Sequence, residues 1–140
     1  MPTEIELHCE TIEECYEFTL SYAARGVTNE RESEGGRQIR HHLTRAAEAI
    51  AGLKTSGAAA IDKEGLAPRE KYEAFFEVLA RDAQSALAAI ELVLAQPAIS
   101  SQLIDNLNAN IHLRALLTDL FLVTEILQLR QRQDKEVTAS

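Results

Sequence analysis

Residues 69–95 carry apolar side chains at steps of three and four: Tyr72, Phe75, Phe76, Leu79, Ala83, Leu87, Ile90 and Val93. At 3.6 residues per turn that spacing lines one face of a helix, whereas a half-buried strand needs alternation by two. Pro68, just ahead, suits a first helical turn, where its missing N–H has no partner to lose. Pro97 stops the segment at Gln96. A chain of 140 residues holding so long a helix has room for one domain. With only six glycines and three prolines it also lacks the turn residues of an all-β fold. Residues 1–140 therefore read as one helical domain, with 1–10 and 134–140 as flexible ends.

Three further segments share the pattern. The first runs from about Thr11, a capping residue followed by Glu13 and Glu14, to Arg25, with Ile12, Tyr16, Leu20 and Ala23 at helical spacing. The second starts between Ser33 and Arg37 and ends before Gly57, with Ile39, Leu43, Ala46, Ala47, Ile50 and Leu53 as its stripe. The fourth is capped by Ser100 or Ser101 and continues to about Gln133. GVTNERESEGG and TSGAAAIDKEGLA read as loops, the latter with Ile61 as a short apolar plug. The minimal turn between the third and fourth segments forces them antiparallel. The expected fold class is all-α: an antiparallel four-helix bundle, up-down-up-down.

The fourth segment has more apolar surface than one bundle core needs, at positions 113, 115–117, 120–123, 126, 127 and 129. Such an excess on a helix marks an interface. Leu116, Leu120, Phe121, Val123 and Leu127 are the contacts expected in a homo-oligomer.

Charge narrows the partners. The net charge is −8, and nine acidic against two basic residues fall within 1–35, leaving the rest close to neutral. A globally basic nucleic-acid binder is excluded, but a local basic rim is not. Arg37, Arg40, His41 and Arg45 lie within nine residues, and Arg130, Arg132 and Lys135 form a second group near the end of the fourth segment. Arg37, Arg40, His41, Arg45 and Arg130 are the candidate nucleic-acid contacts. The alternative is that these arginines pair with the carboxylates of the first helix. A further possibility is a purely protein-directed adaptor that docks its acidic first helix on a basic partner.

No catalytic, metal or cofactor site is expected. The residues three before His8, His41, His42 and His112 are Ile5, Gln38, Ile39 and Ala109, so the Glu-x-x-His pairs of bundle metal sites are missing. Cys9 and Cys15 are too few for a disulfide framework or a zinc site, and Glu13, Glu14 and Glu17 disfavour a thiolate at Cys15. Reduced thiols and an acidic first stretch, MPTEIELHCE, with no long apolar run point to a cytoplasmic chain without a membrane span. Arg37 and His42 have the Arg-x4-His spacing of HEPN-type ribonucleases, which makes them the one candidate catalytic pair.

IRHHLTRAAEAIAGL (39–53), then EKYEAFFEVLARDAQSALAAIELVLA (70–95), resembles the four-helix-bundle family that includes the 23S rRNA intervening-sequence proteins and the accessory variability determinant proteins of diversity-generating retroelements. Leu43, Arg45, Ala46, Ala47 and Ile50 fit its first stretch; Phe76, Leu79, Ala80, Ser85 and Glu91 fit its second. AGLKTSG stands where the family closes its second helix with Asn-Ile-Ala-Glu-Gly. The resemblance implies a ring-like homopentamer and a partner that is RNA or a reverse transcriptase. The expected function is thus a non-enzymatic, self-associating helical-bundle scaffold.

Overall fold

A computed structural model describes residues 2–29, 31 and 34–139, and all secondary structure among them is helical. The elements are α1 (Glu4–Ala23), α2 (Glu34–Ala51), α3 (Leu53–Glu64), α4 (Arg69–Leu94), α5 (Ser101–Asn108) and α6 (Ile111–Ala139). Six helices stand where four segments were expected. Ser33, one candidate start of the second segment, lies outside the described residues.

α1 begins at Glu4 rather than after Thr11. Thr3 caps it: its hydroxyl accepts from the Glu6 N–H, and the Glu6 carboxylate accepts the Thr3 N–H in return. This reciprocal box satisfies two otherwise orphaned donors. Ile5 and Cys9 are then buried, so the expected flexible end 1–10 is largely core-forming helix. Gly26, with φ +68°, lets the chain turn away after α1.

The expected loop at 55–67 is mostly α3. Ala58–Ala60 are strong helix formers, and Ile61, Ala60, Ser56 and Leu53 turn into the core. Gly57, which weakens the helix locally, is used for packing. Its backbone lies against the Phe76 ring of α4, where an added Cβ would stand in ordinary contact at 3.4 Å. Gly65, at φ +58°, closes α3 in the left-handed conformation.

The fourth segment divides at Ala109–Asn110. The Asn110 Oδ1 accepts from the N–H groups of His112 (3.0 Å) and Leu113 (3.2 Å), which caps α6 afresh. α5 is held against the end of α1 by a buried network. The Ser101 Oγ donates to the Tyr22 carbonyl (2.7 Å) and accepts the Val27 N–H (2.8 Å), while the Tyr22 hydroxyl donates to the Ile99 carbonyl (2.7 Å). The core lies between the long helices: α1 packs on α2 and α5, α2 on α4, and α4 on α3 and α6. Leu79, Ile90, Leu116 and Leu120 are among its fully enclosed side chains.

Candidate functional site

Part of the basic rim is engaged in holding the fold. Helix α4 has no cation of its own in its last turn, where exposed carbonyls concentrate negative charge. Arg40 of α2 supplies one, donating from Nη1 to the Leu94 carbonyl (2.8 Å) and from Nη2 to the Gln96 carbonyl (2.7 Å). Arg130 donates to the Glu64 carbonyl at the end of α3 at 3.1 Å, beside that helix's own Lys63. Arg45 lies 4.0 Å from Glu14, a half-exposed pair of the kind expected between rim and first helix, and worth little. Arg37 and His41 are exposed. Arg132 pairs with Glu125 at 3.4 Å. Of the five candidate contacts, two thus donate to helix-end carbonyls, one stands beside an α1 carboxylate and two are exposed.

The candidate catalytic pair does not converge. Five helical steps place Arg37 and His42 about 140° apart around α2. The His42 ring stacks on Phe18 at 4.2 Å between centroids, and its pKa is lowered, first by burial and then by the charges of His41 and Arg45. Stacked on Phe18 and turned about 140° from Arg37 around the helix, His42 does not share a face with it.

Both cysteines are buried free thiols. Burial pushes Cys15 up to about 12, so desolvation, rather than the neighbouring carboxylates, suppresses its thiolate. Cys9 rises to about 11, chiefly through burial, which the Thr124 hydroxyl opposes and the smaller effects of Glu13, Glu6 and Glu10 reinforce. His8 turns inward, its Nδ1 3.2 Å from the Ser56 Oγ. Among the described residues, no group of three or more His, Cys, Asp or Glu is placed to hold a metal ion. No described helix is long and apolar enough to cross a membrane.

The outer face of the α4–α6 pair carries the most distinctive surface. Four of the five expected interface residues, Leu116, Leu120, Val123 and Leu127, are enclosed within their own chain; only Phe121, at 52%, is substantially exposed. The correction follows from helix geometry: the arc centred on Leu120 meets the core, leaving the opposite arc to solvent. That arc is also apolar. Ile111, Leu122 and Leu129 are exposed on α6, with Ala115 and Ile126 half-buried between them. Val78 and Leu92 are exposed on α4, one edge of which runs alongside. Tyr72, Phe75, Phe76, Leu122 and Ile126 wall a groove of about 260 Å³ between the two helices, and Lys71 stands at its rim.

Midway along this seam, Asp82 of α4 and Asp119 of α6 bring their carboxyls together. Asp119 Oδ2 is fully enclosed and has no hydrogen-bond donor. Burial, and then the Asp82 carboxyl, push the Asp119 pKa up to about 7, well above the usual carboxylate range. Sequence reading missed this pair because its members lie 37 positions apart, on two different helices. A second groove, of about 580 Å³ between α3 and α4, presents Lys54 and Arg81 alongside Glu73 and Glu77. Its opposed charges neutralise one another instead of building a field for an ionic ligand.

Comparison with known proteins brings no match: no protein-family model, no curated protein and no solved structure is similar enough to this chain to assign kinship.

Proposed function

We propose that this chain is a non-catalytic docking protein whose working surface is the α4–α6 face, engaged by another apolar helical surface. The observation that carries this reading is that Val78 and Leu92 of α4 and Ile111, Leu122 and Leu129 of α6, two helices packed on each other, are each at least 40% exposed. Ile111, Leu122 and Leu129 recur at helical spacing on one arc of α6, and an exposed apolar arc is the kind of surface a partner covers. In this reading α1, α2, α4 and α6 act as the four long rods of an antiparallel bundle, with α3 and α5 as shorter additions.

Contact with RNA or a reverse transcriptase, which the family resemblance implies, is the second reading. It draws on the exposed Arg37, His41 and Arg45, while Arg40 and Arg130 already donate to helix-end carbonyls. Electrophoretic retardation of a structured RNA at 50 mM salt separates the two. The docking reading expects no retardation at micromolar protein. Retardation abolished by R37E/R45E would overturn it in favour of a phosphate-contacting rim, and RNA cleavage lost in H42A would overturn it in favour of a ribonuclease.

A further inference from the structure

We infer that the groove between α3 and α4 binds a small zwitterion, an amine and a carboxylate joined by an aliphatic spacer. This site is on the α3 side of α4 and is independent of the docking reading of the α4–α6 face.

The cavity is about 580 Å³, within the roughly 300–1,000 Å³ typical of small-molecule sites. Its floor is apolar: Ile61 is buried, Phe76 and Ala80 are half-buried, and the exposed Ala58 extends it. The charged groups that line it are Lys54, Arg81, Glu73 and Glu77. They sum to zero, so the groove concentrates no simple ion, but the two signs are segregated along it.

Two contacts set the register of these antiparallel helices. Arg69 Nη2 lies 2.8 Å from Asp62 Oδ1, and Gly57 lies against the Phe76 ring. Moving five residues back along α3 thus moves seven forward along α4, away from the turn that joins them. Lys54, three residues beyond Gly57, thereby stands close to the level of Arg81. Both acidic groups lie on the turn side of that level. Along the α4 axis Glu77 is about 6 Å from Arg81, and Glu73 about 12 Å.

Three of these charges are also open. Glu73 is held by Arg69 at 2.7 Å, yet among the described residues none of Lys54, Glu77 and Arg81 has an ion-pair partner. Glu77 and Arg81 stand one turn apart, at the spacing where such pairs ordinarily close. An open carboxylate and two open cations above a hydrophobic floor match a ligand with the opposite charge at each end. A lone anion gains at Lys54 and Arg81 but is repelled by Glu77, and a lone cation meets the reverse, so the groove discriminates against both.

NMR titration of the full chain with ε-aminocaproate, whose amine and carboxylate are about 7 Å apart, tests the proposal. Caproate and hexylamine, each with one charged end, are the comparison. Saturable amide shifts centred on Lys54, Ile61, Glu77 and Arg81 are expected, with either singly charged probe bound at least about tenfold more weakly. K54E/R81E and, separately, E77K should weaken ε-aminocaproate by a similar factor at unchanged far-UV circular dichroism, since each removes a charge-assisted contact. Shifts that stay linear throughout a millimolar titration overturn the proposal, as do shifts centred on another part of the chain. Equal binding of caproate or hexylamine overturns it too, and so does indifference to the substitutions. If K54E/R81E loses its helical spectrum, E77K alone decides.

Discussion

Arg40 is a residue whose charge is spent on backbone. Two donors from one guanidinium satisfy the Leu94 and Gln96 carbonyls, at 2.8 and 2.7 Å, and so fasten the end of α4 to α2. Hydrogen bonds to a charged group contribute more than neutral ones, so Arg40→Met is expected to lower stability by about 2 kcal/mol in urea unfolding. Asp119 works in the opposite direction. Its pKa of about 7 in the folded chain exceeds the usual aspartate value, so the native state keeps a proton that the unfolded chain releases. Stability therefore falls as pH rises from about 4 to about 7, then levels off. Asp119→Asn, which offers an N–H to Asp82, is expected to remove that fall. The variant should be more stable than the parent at pH 8 by on the order of 1 kcal/mol, a figure kept small because the group is partly solvated. Urea titrations at pH 5 and pH 8 decide it: a parent whose stability is level, or rises, between the two contradicts the assignment.

At the scale of elements, helix ends decided more than helix interiors. The apolar rhythm of α4 fixes its existence and its buried face, yet α5 and α6 are separated by the Asn110 cap. Asn110→Ala leaves the first α6 N–H groups without that acceptor and should cost about 1 kcal/mol of stability. Gly65→Ala should cost a similar amount, about 1 kcal/mol, because a Cβ is strained at φ +58°. Thermal unfolding followed by circular dichroism reads both. α3 illustrates the limit of local signals: Thr-Ser-Gly punctuation suggested a loop, while burial of Leu53, Ala60 and Ile61 made it a helix. Tertiary packing outweighs a propensity cost of about 1 kcal/mol per glycine.

Over the whole molecule, α1 ties distant parts together. Its C-terminal end is bonded to Ser101 and Ile99, residues more than 70 positions away, and Thr19 accepts from the Asn108 side chain at 3.1 Å. Ser101→Ala would strand the Val27 N–H and remove a donor from the Tyr22 carbonyl. A loss of about 1–3 kcal/mol is expected, measurable as a lower urea midpoint at constant slope. The same arrangement buries Cys9 and Cys15, so neither thiol should react with a disulfide reagent until the chain unfolds.

The amino-acid order alone settled the all-helical class, the buried faces of α2 and α4, and an apolar excess on the last helix; the face of α1 was misread, since Leu20 is exposed and Cys9, Cys15, Thr19 and Tyr22 turn inward beside Ile12. Those properties are periodic and local, and periodicity is written directly into sequence. It did not settle which side of α6 meets the core, because both of its arcs are apolar and only the positions of α1 and α4 choose between them. Nor could it show that Arg40 and Arg130 cap other helices, or that Asp82 faces Asp119. Those are distances between residues remote along the chain, and a distance of that kind exists only once the helices have packed.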